Sequence, residues 1–132
     1  MQAAAISNGP ETNLLGESAP FGDSFSSGYQ TITIPWNANT ATLNFWYKPR
    51  SIATSGNYQR VLLLDAYYAP VAELMRVLED SSTWKFRSFD LSAYRGQSLI
   101  VYFEVYTSNY ESGPYTWMYV DDVSVQACML PQ

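Results

Sequence analysis

The strongest constraint on this 132-residue chain is a two-residue period that recurs along its length. Ser98 to Thr107 shows it best. Leu99, Val101, Phe103 and Val105 alternate with Ile100, Tyr102, Glu104 and Tyr106. Successive side chains of a strand point to opposite faces, so this segment has one apolar face and one mixed face. Tyr29 to Ile34, Gln59 to Tyr68, Trp84 to Leu91 and Tyr115 to Gln126 also read as strands. Thr42 to Lys48 carries Leu43, Phe45 and Tyr47 against Asn44, Trp46 and Lys48. Large residues on both sides predict a central strand covered on both faces. Pro35 and Pro49 are expected to stop strands, and Gly96 to close a loop over Ser92 to Gln97. Val71 to Glu79 fits a helical face through Val71, Leu74, Met75 and Leu78, and it also fits strand alternation. Its shortness and the tight Tyr-Ala-Pro connection before it favour the return strand of a hairpin. A short strand is expected over Asn13 to Glu17. About eight strands spaced roughly 8–12 residues apart predict an all-β protein: an antiparallel β-sandwich of jelly-roll topology. The reading is a single domain over 1–132, with an irregular segment over 1–24.

Composition narrows function mainly by exclusion. Histidine is absent, which removes His-based triads and His-ligated zinc. One cysteine, Cys128, allows neither an internal disulfide nor a Cys-cluster metal site. The net charge of −5 argues against a nucleic-acid partner, which needs a basic face. The longest apolar run, Val61 to Leu64, is far short of the roughly 20 residues that span a bilayer, so no membrane insertion is expected. No nucleophile elbow, phosphate-cradling loop or metal-hydrolase signature occurs, so the chain is not expected to be an enzyme. The N-terminus shows no signal peptide. The chain is either intracellular or a domain of a larger secreted protein restarted at Met1, and the linker-like tail from Cys128 to Gln132 favours the second.

Three blocks carry a resemblance. Ala41-Thr42-Leu43-Asn44-Phe45-Trp46-Tyr47 is similar to a strand of MAM domains and of related bacterial jelly-roll modules of the carbohydrate-binding-module kind. Trp84-x-x-Arg87-Ser88-Phe89-Asp90-Leu91-Ser92-Ala93-Tyr94-x-Gly96-Gln97 resembles a block of the bacterial modules and leads into Val101-Tyr102-Phe103-Glu104. Tyr119-Val120-Asp121-Asp122-Val123-Ser124-Val125 resembles their closing strand. The similarity covers residues 25–128. It implies a non-catalytic accessory domain of a secreted or surface-attached bacterial protein, with a glycan or a neighbouring protein domain as partner. Two departures matter. The family's first strand is not evident: either residues 2–8 replace it, or a sheet edge is left open for self-association. Cys128 stands where MAM domains have a disulfide-bonded cysteine, but it has no partner here, which favours the bacterial relatives.

Two constellations follow from the strands. Asp121 and Asp122 are adjacent on a strand, so their side chains should face opposite ways and one should point inward. An unpaired buried carboxylate is costly. The resemblance implies a structural Ca²⁺ there, with Asp122, Glu17 and Asp23 among its oxygen ligands. The second constellation is an aromatic platform for sugar rings. Tyr102, Glu104 and Tyr106 would share a face with Trp46, Lys48 and Arg60 if the strands align. Tyr110 and Trp117, in and beside a Gly/Pro loop, complete the candidate ligand-binding set.

Overall fold

The computed structural model describes residues 4–7, 24–108 and 114–129. Its strands are β1 (Ala4–Ser7), β2 (Ser24–Thr33), β3 (Ala38–Ser51), β4 (Tyr58–Leu64), β5 (Pro70–Val77), β6 (Lys85–Asp90), β7 (Ser98–Thr107) and β8 (Thr116–Met129). They form two four-stranded sheets of order β1-β8-β3-β6 and β2-β7-β4-β5. Strands β1/β8, β2/β7, β3/β6 and β4/β5 are all antiparallel partners. The chain is thus a long hairpin with its tip at β4–β5, folded over so that successive pairs fall in alternate sheets. That is the jelly roll expected from the strand pattern.

The inner faces are the apolar halves of the alternating segments. Leu43, Phe45 and Tyr47 of β3 meet Val61 and Leu63 of β4 and Leu99, Val101, Phe103 and Val105 of β7 in one buried cluster. Phe45 sits at its centre, edge-on to Phe103 with ring centroids 5.3 Å apart. The segment after Pro70 is a strand paired with β4, as the tight connection suggested. Residues 4–7 pair with Trp117 to Val120 of β8, so a strand lies along that stretch of its edge. The strand expected over Asn13 to Glu17 lies outside the described residues. No helix among them is long and apolar enough to cross a membrane.

Two expectations are corrected. Pro49 does not end β3, which runs on to Ser51. In an antiparallel strand a residue's N–H and C=O point the same way. The Pro49 carbonyl accepts from the Ser81 N–H at 2.7 Å, on the side where β6 has not yet begun, so the missing proline donor costs no ladder bond. The second concerns cover. β3 is central in its sheet, but its outer face is only partly covered: Asn44 is buried there, whereas Trp46 is 41% exposed.

Glu79, after β5, ties the sheets together at one end. It accepts from the Tyr47 hydroxyl at 3.0 Å and from Lys85 Nζ at 2.8 Å. Burial alone would raise its pKa, but the hydrogen bonds from Lys85 and Tyr47, with the charges of Lys85 and Arg87, hold it below the ordinary value. A depressed carboxylate pKa stabilises the fold above the unfolded-state value, about 4.3, and that contribution is lost as pH falls through the folded value. Urea unfolding at pH 7 and pH 3.5 should therefore show an acid-side loss of stability that Glu79→Gln reduces. An unchanged pH slope in that variant would refute the role.

Candidate functional site

The outer face of the β1-β8-β3-β6 sheet is built in rows set by strand register. Thr42 lies between Asp90 and Gln126, and Asn44 between Ser88 and Ser124. Trp46 lies between Phe86 and Asp121, and Lys48 pairs with Tyr119. Directly opposed residues share a face, so polar rows lead into aromatic ones. Trp46 and Phe86 rings are 5.2 Å apart and tilted by 56°. Lys48 Nζ lies 5.5 Å from the Trp84 ring centre and 5.2 Å from that of Tyr119. Ser88 donates to Asn44 Oδ1 at 2.8 Å. The face is indented. A cavity of about 430 Å³ is lined by Thr42, Asn44, Trp46, Phe86, Ser88, Asp122, Ser124 and Gln126. A second, of about 270 Å³, is lined by Trp46, Trp84, Asp121 and Asp122. They share Trp46 and Asp122, so they form one groove.

A bulge shapes the middle of this groove and corrects the reading of the two aspartates. The ladder runs Asn44 with Ser124, then Trp46 with Asp121. Between them Asp122 and Val123 oppose the single residue Phe45, the arrangement of a β-bulge. Asp122 takes a φ of 53°, the left-handed conformation. The extra residue resets the alternation: Val120 and Val123 are buried, while Asp121 is half-buried and Asp122 exposed. Both acids line the groove and neither points inward. The burial argument for a compensating cation therefore does not apply to Asp122. The other named calcium ligands, Glu17 and Asp23, lie outside the described residues, and no group of three or more acidic, Cys or His side chains suited to a metal occurs among those described. The bulge also removes the premise that these carboxylates face apart. A glycosidase pair must flank the scissile bond from two sides, whereas these are sequence neighbours on one wall of an open groove.

The left-handed residue offers a direct test. Asp tolerates φ above zero better than branched residues do. Asp122→Val should destabilise by about 1–2 kcal/mol, and Asp122→Gly should cost less than half as much. Equal losses in thermal unfolding would refute a left-handed Asp122.

The aromatic platform predicted from sequence is divided between two faces. Trp46, Lys48 and Trp117 lie on the outer face just described. Arg60, Tyr102, Glu104 and Tyr106 come together on the outer face of the other sheet, where Arg60 opposes Glu104 and Leu62 opposes Tyr102. The two sets belong to different sheets, so no alignment of strands could join them. The second set is largely engaged with itself. Arg60 Nε contacts Glu104 Oε1 at 2.6 Å, and the Tyr58 hydroxyl donates to the same oxygen at 3.1 Å. Tyr58 stacks on Tyr106 at 5.1 Å. Burial, and then the Glu104 charge, push the Tyr58 hydroxyl pKa up. Trp117 carries the Arg50 guanidinium 5.7 Å from its ring centre, and Arg50 in turn pairs with Asp80. Tyr110 lies outside the described residues. Trp84, Phe86, Asn44, Ser88, Gln126 and Asp121 were not among the expected site residues.

No protein-family model matches the sequence, and no curated protein matches it. Solved structures do show the fold. The carbohydrate-binding module TmCBM61, determined in complex with β-1,4-galactotriose, superposes with a TM-score of 0.54 at 14% identity, over 80% of this chain and 65% of that one. The chain thus spans just under two thirds of that protein's length. A family 16 carbohydrate-binding module gives a TM-score of 0.46 at 19% identity, over 94% of this chain and 84% of that one. A CBM4 structure gives 0.46 at 17%, over 95% and 94%. At these identities the likeness is one of β-sandwich architecture.

Proposed function

We propose that this protein is a non-catalytic carbohydrate-binding module of a secreted or surface protein, and that it holds an oligosaccharide along the outer groove of the β1-β8-β3-β6 sheet. The groove itself carries the reading. Exposed rings of Trp46, Trp84 and Phe86 stand beside Asn44, Ser88, Gln126 and the two aspartates in cavities of about 270 and 430 Å³. Sugar C–H faces pack on aromatic rings while hydroxyls bond to amides and carboxylates. The architecture shared with TmCBM61 is compatible with this role. The test is tryptophan fluorescence titrated with a panel of soluble β-linked oligosaccharides. A saturable shift with at least one glycan, abolished in Trp46→Ala, is the expected result. No shift with any of them would overturn it.

A protein-binding module is the second reading, and one observation favours it. The other sheet's outer face exposes Phe25 and Tyr29, and the turn between β4 and β5 exposes Tyr67 and Tyr68, the latter 6.0 Å from the Tyr29 ring. That role would leave fluorescence unmoved by glycans and give self-association or partner capture through this face.

A further inference from the structure

We propose that the paired aspartates make this groove selective for glycans bearing free amino groups and closed to polyanionic ones; the proposal rests on the glycan reading of the same groove. The chemistry of the smaller cavity leads there. Its walls are two indoles, Trp46 and Trp84, and two carboxylates, Asp121 and Asp122. Asp121 Oδ1 accepts the Asp122 N–H at 2.8 Å, which holds one carboxylate in place and leaves its other oxygen to a ligand. Among the described residues no cation forms an ion pair with either acid. Indole faces and carboxylates both attract an ammonium group, the first through the ring quadrupole and the second through charge. The Trp84 ring already accepts one such group, since Lys48 Nζ lies 5.5 Å from its centre. Lys48 is not among the residues that line this cavity, so Trp46 and the two acids are the groups that would meet a ligand ammonium. A uronate or sulfated sugar would bring a negative charge to the same place, in a chain whose net charge is −5. The bulge is what makes this possible, because without the extra residue the two carboxylates would lie on opposite faces.

The test compares β-1,4-linked oligomers of equal length by isothermal titration: glucosamine, N-acetylglucosamine, glucose, and a polyuronate. Glucosamine should bind about tenfold tighter than its N-acetylated form, as one charge-assisted hydrogen bond supplies. The uronate should not bind. Raising salt should narrow the preference, because the groove is open to solvent. Asp121→Asn and Asp122→Asn should each narrow it, read as the ratio of the glucosamine and N-acetylglucosamine affinities within the same variant. Equal or tighter binding of the N-acetylated form, measurable uronate binding, or a preference unchanged in both variants would overturn the selectivity while leaving the glycan site standing. Failure of every oligomer to bind would overturn the glycan reading itself, and this proposal with it.

Discussion

Trp46→Ala should weaken glycan binding by about 30-fold or more while leaving the fold intact. The magnitude is that of a central aromatic anchor, about 2 kcal/mol or more on truncation. Trp46 earns that place by position. It belongs to both cavities of the groove and packs against the tilted Phe86 ring at 5.2 Å. Being 41% exposed, it contributes little to the core, and its loss should cost the fold about 1 kcal/mol or less. The companion variant is Tyr102→Ala, on the other sheet. It should leave affinity within about twofold, since the Tyr102 face is a separate surface. Affinity electrophoresis of both variants against the best glycan of the panel decides the matter. If Tyr102→Ala abolishes binding and Trp46→Ala does not, the site is on the wrong sheet.

The contrast between those two residues shows what the sequence could and could not disclose. Period-two alternation assigned Leu99, Val101, Phe103 and Val105 to the interior, because burial on one face is a local property of a strand. It also gave the hairpin of β4 and β5, since short connections join antiparallel neighbours. Register between distant strands is not local. Trp46 and Tyr102 both looked like platform residues, but only the sheet order puts them on opposite sides of the molecule. Trp84 and Phe86 were visible as one side of an alternating segment. Their place beside Lys48 and Trp46 depends on the pairing of β3 with β6, which sets Trp46 opposite Phe86 and Asn44 opposite Ser88, 44 positions further along the chain. One signal was available: Trp46 is flanked at i−2 and i+2 by Asn44 and Lys48, and polar neighbours on its own side mark an outer face. The bulge was hidden for another reason. Bulges often use glycine at the left-handed position, and Asp122 fills it here without that mark.

Gln59→Leu should lower stability by about 3–5 kcal/mol, although it replaces a fully buried polar side chain with an apolar one of similar size. Gln59 lies on the inner face of β4, in line with Val61 and Leu63, and is completely buried. A view based on buried apolar area alone expects this variant to gain stability. The hydrogen bonds argue the reverse. The two hydrogens of Gln59 Nε2 are shared among the carbonyls of Arg50 at 3.1 Å, Glu79 at 3.0 Å and Trp117 at 3.2 Å, and its Oε1 accepts from the Glu79 N–H at 2.9 Å. One side chain thus joins β4 to β3, to β8 and to the segment after β5, where the ladders of the two sheets cannot reach each other. Leucine would leave those buried backbone groups without this partner, at about 1–3 kcal/mol for each that finds no other. For a domain of this size the loss corresponds to a fall in Tm of roughly 10–20 °C. Val61→Ala, two residues along the same face, serves as a scale, because its cost is a simple cavity of about 2 kcal/mol. A Gln59→Leu protein that melts at or above the parent temperature would show that the amide contributes nothing net to stability.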